Sequence, residues 1–306
     1  CCPAGASLSR CPSWPSGRGV YPVSLGCRCC VKQGILECGD PGGGFPAGWP
    51  YMHGMVHLPF DWNLTSLEGV LFFLRHSFEH FFYFTKMRVV RAVNREDVKF
   101  DNFYSSMHAF IHHHPQKDGT RLRHRAERFK VLCRHTRDTR AARTLLFIRY
   151  MHNSSELARI DELYALLRLW AGAQIRLCVV IMKQTEKGKE QVYRHARFPR
   201  VLIYLVGFVS VMEFVPFREA CRFSVYDEAG MLHVHQKTPE EIVLKPFRDP
   251  YTTKSDLCPD GDWLTDLKGE DPTFYPDCPA AQKQAGNSLL LDAVARGSEV
   301  AVTQLL

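Results

Sequence analysis

Leu145-Leu146-Phe147-Ile148-Arg149-Tyr150, then Glu156 to Trp170, then Ile175 to Met182 is the stretch that decides the fold. Its first and last pieces are short apolar runs of the kind that form buried strands. Between them Leu157, Ile160, Leu163, Leu166 and Leu167 fall on one side of a helix, with Ser154 or Ser155 placed to cap it. Strand, helix, strand is a βαβ unit, which imposes parallel pairing and a right-handed crossover.

Working outward, Val20 to Leu25 reads as a first strand ending at Gly26, and Ser66 to about Tyr83 as a very apolar helix. Val201 to Val211 reads as a further strand. Arg222–Tyr226 and Met231–His235 flank Asp227-Glu228-Ala229-Gly230, a hairpin-like signal. The expected fold class is therefore α/β, a layered, mostly parallel sheet with flanking helices, over residues 19–248. Residues 1–18, rich in Pro, Gly, Ser and Cys without a period, read as a flexible leader. The polar, Pro-rich segment 249–286 reads as a linker. Residues 287–306 hold two short helical stretches broken at Gly297, a hairpin that resembles part of an ankyrin repeat. One such unit cannot bury its own apolar face, so a continuation past Leu306 is expected, and a protein partner for that tail. The chain begins at Cys1 and not Met, so a preceding segment is also expected.

Hydrophobic residues make up 45% of the 306 residues and aromatics 12%, which excludes disorder throughout. The longest apolar run, Val201 to Met212, is too short to cross a bilayer, and no membrane partner is expected. Twelve cysteines are spread through the chain and are not concentrated in a small scaffold, which points to a reducing, cytoplasmic setting. The net charge of +7 resides in Lys117 to Arg143, where ten Lys or Arg face Asp118, Glu127 and Asp138. Without stacking aromatics between the charges, this reads as a solvated helix with Phe129, Leu132 and Cys133 turned inward, and not as a nucleic-acid surface.

Three constellations carry chemistry. Cys27, Cys29 and Cys30 follow a strand at a helix start, where unpaired backbone N–H groups, the helix dipole and the neighbouring Arg28 favour a thiolate. A nucleophilic cysteine also needs a histidine close in space, for which His108 and His112 to His114 are available. Metal binding by Cys27, Cys29, Cys30 and Cys38 is a weaker reading, because the paired knuckles of zinc ribbons are missing. His76-Ser77-Phe78-Glu79-His80 matches H-x-x-E-H, a zinc-hydrolase pattern that on a helix sets His76 and His80 on one face with Glu79 as base. The surrounding Phe72, Phe73, Phe78, Phe81 and Phe82 instead suit a core helix.

Ser24-Leu25-Gly26, then Cys29-Cys30-Val31, then Pro59-Phe60-Asp61-Trp62 and the Phe78–Phe82 ending resemble the family named putative papain-like cysteine peptidases, a domain family of unknown function. Met107-His108-Ala109-Phe110, Arg125-Ala126-Glu127-Arg128-Phe129 and Leu146-Phe147-Ile148-Arg149 follow in the family's order. The resemblance spans roughly residues 20 to 185. It implies a thiol peptidase-like site with Cys29 as nucleophile and His108 at the His-x-Phe position, where Ala109 replaces the usual acidic residue. Asp61 is then the candidate orienting carboxylate, or alternatively a capping residue of its own turn.

The function expected from this reading is a cysteine-dependent hydrolase acting on a protein or peptide, with Cys29, His108 and Asp61 as catalytic residues and no cofactor. The alternatives are a non-catalytic α/β scaffold or interaction module, a Rossmann-like transferase with its site beyond the carboxyl ends of the strands, and a zinc hydrolase built on His76, Glu79 and His80.

Overall fold

The computed structural model describes residues 20–27, 29–38, 57–79, 81, 84–92, 95–102, 108–110, 113, 118–139, 144–151, 153–207, 214–247 and 263–266. In chain order the elements are β1 (Val20–Ser24), α1 (Cys29–Glu37), β2 (Asn63–Thr65), α2 (Leu67–Arg75), β3 (Phe84–Ala92), β4 (Arg95–Asn102), β5 (His108–Phe110), α3 (Gly119–Thr139), β6 (Thr144–Tyr150), α4 (Ile160–Ala171), β7 (Ile175–Ile181), β8 (Gln191–His195), β9 (Val201–Leu205), α5 (Val215–Glu228), β10 (Gln236–Lys237) and β11 (Trp263–Asp266).

The larger sheet has the order β1-β6-β7-β9-β8-β10. Its strands β1, β6, β7 and β9 are mutually parallel, β8 runs antiparallel to β9, and β10 follows β8. The βαβ unit forms as expected, with Leu145 opposite Ile175 and Phe147 opposite Leu177. Every residue of β6, β7 and β9 is buried because helices cover both faces, and the strands are accordingly apolar except at Thr144, Arg149 and Arg176.

Alternate residues divide between two cores. Val23, Leu145, Phe147, Leu177, Val179 and Ile203 pack on one face with the inner sides of α2, α3 and α4. Leu146, Ile148, Cys178, Val180 and Leu202 pack on the other with α1 and α5. These two helices approach so closely that a Cβ on Gly34 would lie 2.6 Å from Phe217 Cβ, so only glycine fits there. The basic segment forms α3, with Phe129 and Cys133 fully buried and Leu132 partly so. A 3₁₀ turn, Ser154–Arg159, leads into α4; its cap is Asn153, whose side chain accepts from Glu156 N, and neither Ser154 nor Ser155 fills that role.

The smaller sheet, β11-β3-β4-β5-β2, is antiparallel throughout and lies in sequence largely between α2 and α3. The sequence reading had no strands there. It also extended the helix after Ser66 to Tyr83, whereas α2 stops at Arg75 and Ser77 and Phe78 take φ of 50° and 65°. The chain turns back because Phe73 and Phe78 then each meet Phe81, while Phe78 and Phe81 meet Phe60; a continuous helix would set Phe73 and Phe81 about 12 Å apart along its axis. The hairpin expected at Arg222–His235 is likewise replaced. Arg222–Tyr226 belongs to α5, whose Phe217, Ala220, Cys221, Ser224 and Val225 are buried at helical spacing. The strand expected from Val201 to Val211 ends at Leu205. Trp263–Asp266, inside the expected linker, pairs with β3. The expected leader and the ankyrin-like hairpin at 287–306 lie outside the described residues.

Candidate functional site

The site begins at the elbow between β1 and α1, at the carboxyl end of the parallel sheet. Ser24 Oγ accepts from Gly26 N at 3.1 Å and tightens the turn. Gly26 and Cys27 both take left-handed conformations, with φ of 70° and 65°. A Cβ on Gly26 would sit 2.9 Å from the Phe60 carbonyl, so glycine is required both by conformation and by the approach of the Pro59–Trp62 turn. Cys27 has no such exemption. A non-glycine residue there carries strain, which recurs where a fold over-determines a functional position.

The cysteines separate by environment. Cys27, Cys30 and Cys38 are buried in the α1/α5 core, as are Cys178 and Cys221. Cys133 is buried under α3. Burial pushes the thiols of Cys133 and Cys221 up and that of Cys178 up to about 12, holding them as inert thiols. Cys29, the first residue of α1, is the one cysteine among the described residues that is not buried.

One helical turn after Cys29 stands Lys32, only 3% exposed, its Nζ 2.7 Å from Asp61 Oδ2. Asp61 is fully buried; the same oxygen accepts from Leu58 N at 2.8 Å, while Oδ1 has no hydrogen-bond partner. Desolvation lowers the Lys32 pKa against the opposing pull of Asp61. The following residue, Trp62, has φ 66°, and its indole N–H donates to His57 Nδ1 at 3.2 Å. That nitrogen is also 4.0 Å from Asp61 Oδ2. Arg128 of α3 donates to the His57 carbonyl at 3.0 Å. Arg125, 1% exposed, bonds His113 Nε2 at 2.9 Å and keeps a buried, unpartnered Nε; burial, with Arg121 nearby, pulls its pKa down to about 10. Lys32 is thus paired with the buried carboxylate, and Arg125 is a second buried cation within its electrostatic reach. Beside the turn opens a depression of about 540 Å³ lined by Tyr21, Leu58, Arg128, Val131, Leu132 and His135, among others.

His108 is elsewhere in this arrangement. It begins β5, and its Nδ1 is 2.8 Å from Thr65 Oγ1 on the neighbouring β2. Its ring packs against Phe73, Phe81 and Phe110, and Nε2 has no hydrogen-bond partner. The three residues named from the sequence are therefore divided: Asp61 lies with the elbow that carries Cys29, whereas the nitrogens of His108 meet neither Asp61 nor a thiol. Lys32, His57 and Arg125 were missed. The spacing of Cys29 and Lys32 on α1 was available in the sequence; the proximity of His57 and Arg125 was not.

Burial alone pushes the His108 pKa from its ordinary 6.5 to about 3. Between those values the unfolded chain binds a proton that the folded chain refuses. The stability tied to neutral His108 is therefore complete above about pH 6.5 and falls as the pH drops toward 3, by up to about 1.4 kcal/mol per pH unit. Urea unfolding at pH 7, 6 and 5 should show a steeper loss for the parent than for His108→Leu; parallel losses would assign the acid sensitivity to other groups.

For the H-x-x-E-H reading, His76 is the C-cap of α2 and Ser77 and Phe78 are left-handed, so α2 does not continue through Glu79 as the pairing of His76 with His80 on one helical face requires. His80 lies outside the described residues. Among the described residues no three His, Cys, Asp or Glu are grouped to hold a metal ion, and no helix is long and apolar enough to cross a membrane.

Residues 51–185 match the model of the family described as Putative papain-like cysteine peptidase. The matched segment contains Asp61 and His108 but begins after Cys29, from which Gly39–Pro50, rich in Gly and Pro, separates it. No curated protein and no solved structure matches the chain.

Proposed function

We propose that the α/β domain is a cysteine-dependent hydrolase of peptide-like acyl substrates, with Cys29 as nucleophile. The observation that carries this reading is the partial exposure of Cys29 at the first position of α1, one turn from the buried Lys32–Asp61 pair, while the other described cysteines are buried. The helix start favours the anionic thiolate. The thiolate attacks the acyl carbon, the carbonyl electrons move to oxygen, and first-turn N–H groups of α1, which have no acceptor within the helix, stabilise that oxyanion. Collapse expels the leaving nitrogen as an amine, protonated by the group that took the thiol proton, and leaves a thioester, which water hydrolyses to the carboxylic acid and the free thiol. The match to a peptidase-named family supports a protein or peptide substrate. The apolar depression beside Leu58 suits one of its side chains.

The test is alkylation of the native protein by iodoacetamide across pH 5 to 9, mapped by mass spectrometry. Cys29 should react fastest and stay reactive well below the free-thiol pKa of about 8.5. Cys29→Ala should remove the rapid label while Cys27→Ala leaves it. A protected Cys29, or one that reacts only as an ordinary thiol, would overturn the proposal in favour of an α/β scaffold.

A further inference from the structure

On the reading that Cys29 is the nucleophile, we infer that its proton acceptor is His57, not His108, with Asp61 as the carboxylate that receives the resulting imidazolium and Lys32 as the cation that fixes Asp61. Three separate features converge on His57.

The first is connectivity. Asp61 Oδ2 is 2.7 Å from Lys32 Nζ and 4.0 Å from His57 Nδ1, so one carboxylate oxygen links the histidine to the helix that begins at Cys29. Residues three apart on a helix have Cβ atoms about 5–6 Å apart, which sets Cys29 beside Lys32. The contact between Gly26 and the Phe60 carbonyl holds the two turns together from the other side. The second is accessibility: the His57 side chain is 47% exposed, so it can exchange protons with substrate and solvent, whereas His108 is sealed among aromatic rings. The third is backbone strain. Non-glycine residues with left-handed φ occur on both sides of the pair, at Cys27 and Trp62, and Trp62 is the residue whose indole holds the His57 ring.

The indole N–H occupies Nδ1, so the neutral ring carries its hydrogen on Nε2. Transfer of the Cys29 thiol proton to Nδ1 displaces the indole N–H, a donor that cannot pair with the protonated ring, and produces thiolate and imidazolium with no other reactant. The new Nδ1–H then faces Asp61 Oδ2. The charged groups that act on His57 are Asp61, which favours the imidazolium, and Arg125, Lys32 and Arg121, which oppose it; with desolvation dominant, the ring is held neutral and ready to accept. Asp61 Oδ1, buried and without a partner, leaves acceptor capacity for this second state.

The experiment compares the pH dependence of Cys29 alkylation by iodoacetamide in the full chain, in His57→Gln and in His108→Gln, with circular dichroism confirming the fold of each. His57→Gln should move the inflection toward about 8.5 and slow the reaction at pH 6 by about tenfold or more. His108→Gln should leave the inflection in place. Added imidazole should restore part of the rate to His57→Ala, which a purely structural role would not permit. If His108→Gln abolishes the low-pH reactivity and His57→Gln does not, or if neither moves it, the assignment of His57 fails while Cys29 stands. If Cys29 of the parent shows no depressed inflection, the hydrolase reading itself falls, and this inference with it.

Discussion

Arg149→Met should destabilise the fold by about 3–5 kcal/mol, the range for removing one partner of a buried ion pair. The guanidinium is fully buried in β6 and joins three parts of the chain. Its Nη1 donates to the Leu25 carbonyl at 3.0 Å and to the Thr65 carbonyl at 2.7 Å, and its Nη2 lies 3.4 Å from both carboxylate oxygens of Glu156. Glu156 in turn accepts from Leu67 N at 2.7 Å, at the start of α2. One side chain thereby ties the end of β1, the β2 strand that pairs with His108, and the turn before α4. Methionine fills a similar volume but leaves a buried carboxylate and two carbonyls without their cation. Urea unfolding should show the loss, and Arg149→Met/Glu156→Gln should fall short of the sum of the two single effects. Strict additivity would show that the pair does not act as a unit.

Lys32→Met should lower stability by about 3 kcal/mol or more, because it leaves the fully buried Asp61 with its charge uncompensated at 2.7 Å. Adding Asp61→Asn should recover part of the loss, since the amide keeps an acceptor for Leu58 N without the charge. A loss below about 1 kcal/mol for Lys32→Met would show that Arg125, the other buried cation near Asp61, suffices to hold the carboxylate. The comparison matters for the site because this ion pair determines where the Pro59–Trp62 turn stands relative to α1.

Much of the architecture is legible in the chain because it is written in local periodicity. The runs at 145–150, 175–181 and 201–205 are apolar but for Arg149 and Arg176, the mark of strands covered on both faces. α4 and α3 show their buried sides at helical spacing. Ser24-Leu25-Gly26 marks the elbow, and the structure gives each letter a cause: Ser24 bonds Gly26 N, the Leu25 carbonyl receives Arg149, and Gly26 meets Phe60. The smaller sheet is not legible in the sequence because Lys86, Arg88, Arg91, Arg95, Glu96, Asp97, Lys99 and Asp101 interrupt any apolar run between Phe84 and Asn102. The helix after Ser66 was overextended because an apolar stretch rich in Phe has the same composition whether it continues or folds back on itself.

The candidate site divides along the same line. Sequence alone determined the parallel α/β core and the position of a cysteine at a helix start after the first strand, since both follow from the order of residues along one segment. It also singled out Asp61, through the motif in which it stands. Which cysteine is accessible, which histidine shares a carboxylate with the cysteine's helix, and whether His108 meets water were decided only by tertiary structure. Burial, desolvation and contact between residues 29 to 71 positions apart depend on how the aromatic cluster, α1 and α3 close around the Pro59–Trp62 turn, and no local pattern encodes that closure.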